Sequence, residues 1–225
     1  MGNCENCLIK PLTTLRFLSN EELKTISEKK VLKKVSKGRT LFGEGENLSG
    51  LYCVREGICK LSKLSENGKD QIVKIVAKGN FIGQRSTISD EPTNLSAKAL
   101  TPMEVCFIPK KDFMDSLQKN SNFSIEFLKL MASDLRESDN LIVNMAQKSV
   151  KQRLAETLLF LQDKLGVDND GWLNAVLTRQ DYSNIVGTAT ESVIRILKQF
   201  KKAQLITTLG KKIKIEDVYA LKHIH

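Results

Sequence analysis

Histidine is nearly missing from this sequence: the only two, His223 and His225, stand at its very end. Without an imidazole elsewhere, a Ser–His or Cys–His nucleophile pair has no general base, and no phosphate-cradling loop is visible either. Catalysis is therefore not expected of the chain. No run of about 18 apolar residues occurs, so no membrane span is expected. The stretch from Met1 to Cys7 lacks the charged start and apolar centre of a secretory leader. Asn6 stands where a myristoylation start needs Ser or Thr. The expected address is the cytoplasm. Five cysteines (Cys4, Cys7, Cys53, Cys59, Cys106) make an odd set without an export signal. That argues against a disulfide framework and leaves reduced thiols or metal ligation. Sequence repeats and low-complexity tracts are absent too.

What is present is a globular composition, 41% hydrophobic and 27% charged over 225 residues, with a net charge of +9. The basic surplus favours a polyanion partner through counterion release, although charge alone does not distinguish nucleic acid from other partners.

Three textures follow along the chain. From about Val31 to Phe113, short runs such as Leu51–Val54, Ile72–Val76 and Glu104–Ile108 alternate with glycines (Gly38, Gly45, Gly50, Gly57, Gly68, Gly79, Gly83). That spacing predicts an antiparallel sandwich or roll. Asn122 to Gln147 contains neither Gly nor Pro and reads as one long helix. Leu128, Met131, Leu135, Ser138, Ile142 and Met145 recur at steps of three and four, the seam of a helix that pairs with a second copy or lies on its own domain. Beyond it, Val150–Leu165 reads as an amphipathic helix, and helices follow at about Thr178–Val186 and Thr190–Ala203. A hairpin about Leu209-Gly210-Lys211 closes the pattern. Helix, turn, helix, hairpin is the plan of a winged helix-turn-helix.

The informative stretch runs from Leu177 to Leu197. Gly187 would end the first helix in a left-handed conformation. Val193, Ile196 and Leu197 supply a buried side to the second, which leaves Thr190, Glu191, Ile194 and Arg195 on another face. Arg can give two donors to guanine O6 and N7, and Glu can accept from cytosine N4. Two plainer roles compete: Thr188 and Glu191 have capping-box spacing, and Glu191 and Arg195 are placed for a pair one turn apart.

On these residues the chain resembles the CRP/FNR family of bacterial regulators. Thr178-Arg179-Gln180-Asp181, Ile185-Val186-Gly187 and Glu191-Ser192-Val193-Ile194-Arg195 follow its reading domain. Lys37-Gly38, Glu44-Gly45, Leu51-Tyr52, Gly57, Gly68-Lys69-Asp70-Gln71-Ile72 and Gly79-Asn80-Phe81-Ile82-Gly83 follow its sensor. The resemblance implies an α+β chain in four parts. These are an N-terminal segment with a C-x-x-C and a short helix (1–30), a cyclic-nucleotide-binding-like antiparallel β-roll or jelly roll (31–115), a dimerisation helix (116–147) and a winged helix-turn-helix (148–225). It further implies a homodimer on near-palindromic double-stranded DNA, with RNA polymerase as a partner. Thr190, Glu191 and Arg195 would contact bases, and Arg179, Gln180, Thr188, Ser192 and Lys211 the DNA backbone. Leu128, Met131, Leu135, Ile142 and Met145 would form the dimer seam. Thr190 and Ile194 depart from the residues of the family's two main branches, so the resemblance does not specify the outer bases of the site.

The input is left open. At the family's cyclic-phosphate pocket (Gly83, Gln84, Arg85, Thr93, Asn94), Thr93 stands where the phosphate-binding Arg is needed, so cyclic AMP is not expected. Cys4, Cys7 and Cys106 match three of the four [4Fe–4S] ligands of the FNR branch, whereas Thr13 occupies the remaining position. A cluster would then need Cys53 or another donor as its fourth ligand. Zinc, a thiol switch, an unidentified ligand, and an inactive roll on a constitutive regulator remain alternatives, as does a cyclic-nucleotide-binding regulatory module.

Overall fold

The computed structural model describes residues 10–66 and 68–224; Cys4 and Cys7 lie outside the described residues. The elements, in chain order, are α1 (Asn20–Lys29), β1 (Val31–Val35), β2 (Thr40–Phe42), β3 (Gly50–Glu56), β4 (Cys59–Leu64), β5 (Asp70–Val76), β6 (Phe81–Ile82), α2 (Gln84–Ser89), β7 (Ser96–Ala99), β8 (Met103–Pro109), α3 (Lys110–Lys119) and α4 (Ser121–Gln147). Then come α5 (Val150–Leu165), α6 (Arg179–Val186), α7 (Thr190–Lys202), β9 (Ile206–Leu209), β10 (Lys212–Ile215) and α8 (Val218–Lys222). Two 3-10 turns, Lys10–Leu12 and Thr14–Phe17, precede α1. Contacts divide the chain into two compact units. One holds the residues up to Lys63 together with Lys74–Glu137, and the other holds Leu64–Val73 with the residues from Ser138 onward. Among the described residues, no helix is long and apolar enough to cross a membrane.

Two four-stranded antiparallel sheets, ordered β1-β8-β3-β6 and β2-β7-β4-β5, make the expected roll. The two-residue period of a strand explains how it is filled. Cys53 and Cys106, directly opposed on β3 and β8, face one apolar cluster with Leu23, Ile26 and Phe113. Their neighbours Val54 and Val105, also opposed, face a second cluster with Ile82 and Ala97. Strand β3 therefore reads as a continuous apolar run, because both of its faces are covered.

Helix starts carry the local signals their positions require. Ser19–Glu22, Ser149–Gln152 and Thr178–Asp181 each form a reciprocal capping box. Helix α4 buries Phe123 and Phe127 on one face. Its other face leaves Leu128, Leu135 and Ile142 at 67%, 64% and 67% exposure. These three are seven residues apart, the repeat of a helix that pairs along a seam. The other two residues expected in that seam turn elsewhere. Met131 packs on the roll's core, and the Met145 Sδ lies against Gly187, 3.2 Å from where a Cβ would stand.

Candidate nucleic-acid interface and sensor site

The recognition element is built from a cap, a turn and an amphipathic helix. The Thr178 hydroxyl accepts the Asp181 N–H at 3.0 Å, and the Asp181 carboxylate accepts the Thr178 N–H at 3.0 Å, which fixes the start of α6. Gly187 ends it at φ 68°, donating its N–H to Ser183 O at 2.9 Å. That is the left-handed conformation glycine adopts without strain. Helix α7 buries Val193, Ile196, Leu197 and Phe200. Glu191, Ile194 and Arg195 stay exposed on the opposite side.

Neither plainer role for that pair is realised. Ala189 is the N-cap of α7 and makes no side-chain cap bond, so Thr188 and Glu191 form no capping box. Among the described residues, Glu191 and Arg195 make no hydrogen bond or ion pair with each other or with any other group. Two polar side chains one turn apart are thus presented to solvent with their hydrogen-bonding capacity intact.

The other expected contacts have partners of their own. The Thr190 hydroxyl donates to Gln180 Oε1 at 2.8 Å and lies 3.1 Å from Ser183 Oγ, tying α7 to α6. Arg179 donates from Nη2 to Gly210 O at 3.1 Å, linking the start of α6 to the wing turn. Its Nη1 is buried without a partner, as is the hydroxyl of Tyr182. Burial drives the Tyr182 phenol upward from its ordinary value, opposed by the nearby Arg179 charge. Ser192 is half-buried, whereas Lys211 at the wing tip is exposed.

Arg153 escaped the sequence reading, which took Val150–Leu165 for its leucine face alone. Its guanidinium donates to Val186 O at 2.8 Å, Lys148 O at 2.5 Å and Met145 O at 3.3 Å. One side chain therefore satisfies carbonyls at the ends of both α4 and α6. The only clue was a cation in the first turn of an otherwise apolar-faced helix. Gln71 also went unnoticed; its amide donates to Ile185 O at 3.3 Å.

In the roll, Thr93 and Gln84, two of the residues expected at an effector pocket, are engaged in internal hydrogen bonds. The buried Thr93 hydroxyl donates to Gly43 O at 2.5 Å and accepts the Glu46 N–H at 3.1 Å, closing the loop between β2 and β3. Gln84 donates to Asp134 of α4 at 3.2 Å, and Asp134 also pairs with Lys74. Arg85 stands 3.8 Å from Glu91 on the surface. Gly83, at φ 83°, is pressed against Leu48, whose Cδ1 would lie 2.6 Å from an added Cβ. Asn94 is half-buried.

Of the three cysteines that the resemblance assigns to a cluster, only Cys106 lies among the described residues. Thr13, at the third ligand position, is buried and caps a 3-10 turn: its hydroxyl donates to Lys10 O and accepts the Leu15 N–H, each at 3.2 Å. Cys53 and Cys106 are buried within an apolar core, and Cys59 faces the other core. Burial pushes the Cys59 thiol up to about 12. Among the described residues, no group of three or more His, Cys, Asp or Glu side chains is placed to hold a metal. The described residues do not fit such a cluster.

Comparison with known proteins agrees with both halves of this description. A model described as a cyclic nucleotide-binding domain matches residues 32–120, and one described as a Crp-like helix-turn-helix domain matches residues 152–224. The chain is 35% identical over 190 residues to the anaerobic regulatory protein of Bacillus subtilis, which covers 83% of this chain and 79% of that protein. It is 29% identical over 227 residues to the fumarate and nitrate reduction regulatory protein of Escherichia coli, across 99% of this chain and 90% of that one. Among solved structures, FixK2 from Bradyrhizobium japonicum is similar with a TM-score of 0.77 at 22% identity, over 85% of this chain and 95% of its own. A CRP/FNR-family regulator from Thermus thermophilus gives 0.69 at 21% identity, over 85% and 96%. At such identities the structural likeness speaks for the fold.

Proposed function

Since the chain belongs to the CRP/FNR family of helix-turn-helix transcription regulators, we propose that it binds near-palindromic double-stranded DNA as a homodimer and reads base edges with Glu191 and Arg195. The observation that carries this is their exposure on α7 without a partner among the described residues. Groups left with unused hydrogen-bonding capacity lose little when they exchange water for a base edge.

Thr190 sets the position of α7 through its bond to Gln180, besides facing the outer base of the half-site. Gln180, Thr188, Ser192 and Lys211 contact the sugar–phosphate backbone. Arg179 holds the wing turn beside that backbone. Pairing along Leu128, Leu135 and Ile142 brings two α7 helices to successive major grooves, one helical turn apart. RNA polymerase is the partner on which such a regulator acts, the cytoplasm is its compartment, and no catalytic role is assigned to it.

Cyclic AMP is not the expected input, and an iron–sulfur cluster held by Cys4, Cys7 and Cys106 would need Cys53 or another donor in place of Thr13. Thr93 offers no charge to a phosphate and is engaged in the roll's own loop, and Thr13 is a helix cap. A signal acts only through different affinities for two arrangements of the dimer. DNA binding without any input is a second reading, favoured by the internal engagement of Thr93 and Gln84. A small molecule that changes operator affinity excludes it.

The test is fluorescence anisotropy on a near-palindromic cognate duplex against a scrambled duplex. Arg195→Ala is expected to weaken the cognate complex by about 1–3 kcal/mol and leave the scrambled one unchanged. Equal losses on both duplexes would remove Arg195 from base reading.

A further inference from the structure

A cavity of about 200 Å³, with Thr13 in its wall and outside the family's cyclic-phosphate pocket, lies where the N-terminal turns meet the β5–β6 connection and the first half of α4. Its volume corresponds to about six or seven water molecules in the liquid. Its walls are apolar on one side. Phe81 is buried and packs on Phe127 of α4 with ring centroids 5.7 Å apart, and Phe17 and Leu130 complete that side. Leu12 is held against the β5–β6 turn so closely that a Cβ on Gly79 would lie 3.0 Å from Leu12 Cβ. The cavity is therefore made by tight packing of the N-terminal turn on the roll.

The polar side carries uneven charge. Arg16 and Lys78 both line the cavity, and neither has an ion-pair partner among the described residues. The Arg16 guanidinium is 4.8 Å from the Phe17 ring centroid, a cation stacked on an aromatic wall. The one acidic lining residue, Glu126, is already paired with Lys129 at 2.7 Å. Thr14, in the same wall, has a buried hydroxyl with no hydrogen-bond partner. A buried hydroxyl without a partner is uncommon enough to need an explanation, and a change of rotamer would turn it toward a ligand.

We infer that this cavity is the effector site, and that it takes a small organic anion: one carboxylate on an apolar body. Two uncompensated cations hold the carboxylate, and Phe17, Phe81 and Leu130 cover the body. Inorganic phosphate fits less well, since it would leave the apolar wall uncovered and bring a second negative charge toward Glu126. Glu126 and Leu130, four residues apart on α4, share a face of the helix whose other side carries Leu128 and Leu135. A bound anion braces the helix that makes the seam. The inference rests on the regulator reading for its meaning, but not for its binding chemistry.

The experiment is calorimetry on the full-length protein with hexanoate and benzoate as probes, their amides as neutral counterparts, and inorganic phosphate. Both carboxylates are expected to bind at millimolar concentration, with the amides about tenfold weaker or more. Arg16→Gln and Lys78→Gln, both at exposed positions, should each lower carboxylate affinity by about tenfold without changing the melting temperature. No binding of either carboxylate overturns the inference. So do equal affinities for acid and amide, phosphate binding as tight as benzoate, or unchanged binding in both variants. Operator affinity with and without hexanoate is read separately. Glu191→Ala, remote from the cavity, should lose operator preference and keep hexanoate binding, so that a failed DNA reading and a failed ligand reading give different results.

Discussion

The roll and the reading domain treat their polar side chains in opposite ways. In the roll, Thr93 bonds to Gly43 and Glu46 and Gln84 bonds to Asp134, so these two side chains at the family's effector position are engaged internally. In the reading domain, Glu191 and Arg195 have no internal partner among the described residues, and their supports, Thr190, Ser183 and Gln180, are bonded among themselves. An internally satisfied polar group holds a fold in place, whereas an exposed unsatisfied one is available to a partner. The difference assigns structure to one set and recognition to the other, and each assignment can be broken by substitution.

The largest effect is expected outside both sets, on the seam. Leu135→Asp places a carboxylate where two copies of α4 would pack, and burying an unpaired charge costs several kcal/mol. Sedimentation should show a monomer at concentrations where the wild-type chain is dimeric, and operator affinity should fall by about a hundredfold or more. A variant that remained dimeric would move the interface away from Leu128, Leu135 and Ile142.

That seam also shows what the sequence made legible and what it did not. The lack of Gly and Pro placed a helix at about Asn122–Gln147, close to the observed Ser121–Gln147, whereas the wider dimerisation segment 116–147 takes in the end of α3. Yet Met131 and Met145 sit at seam spacing and face other surfaces. A periodic pattern reports which residues are apolar, not which of two neighbouring surfaces each one meets. Long-range partners were equally hidden. Gln180 and Thr190 are ten residues apart and Thr93 meets Gly43 across fifty, so only the fold reveals that their hydroxyls are engaged. The recognition helix was legible because its cues are local: a glycine at 187, and an amphipathic run with Glu191 and Arg195 on the exposed side. The three reciprocal caps likewise sit at their S/T-x-x-E/Q/D spacing, but only the competing, unformed pair at Thr188 and Glu191 attracted notice, because spacing does not say where a helix begins.

Next in size is a test of the roll. Thr93→Val keeps the shape of the side chain and removes the hydroxyl that accepts the Glu46 N–H and donates to Gly43 O. Leaving those groups without their partner should cost about 1–3 kcal/mol, read as a lower urea midpoint at unchanged slope. An unchanged midpoint would mean that Thr93 is not structural and reopen the pocket around Gly83. Lys211→Ala addresses the other side of the comparison. The exposed wing lysine should lose one phosphate contact, weakening cognate and scrambled duplexes alike and reducing the slope of log K against log salt by about one unit. A loss confined to the cognate duplex would make Lys211 a base reader.

The smallest expected effect falls on a place where, as at Arg179 Nη1, the reading domain departs from the pattern. Tyr182 is fully buried in α6, and its hydroxyl has no partner. Such a group is desolvated without compensation, so Tyr182→Phe should be neutral or stabilising by up to about 1 kcal/mol, because the ring remains and the unpaired oxygen is removed. The alkaline limb distinguishes this from a packing effect. Desolvation raises the phenol above its ordinary value of 10.0 in the folded chain. The stability held by the protonated phenol is therefore fully present below pH 10.0 and is lost as pH rises from there toward the elevated folded value. The wild-type chain should weaken over that range more steeply than Tyr182→Phe, while Cys59, whose thiol is lifted to about 12, contributes the same downward trend to both. Parallel curves for the two proteins would mean that the hydroxyl is hydrated or bonded in solution, and the contrast between satisfied supports and unsatisfied readers would then hold throughout the reading domain.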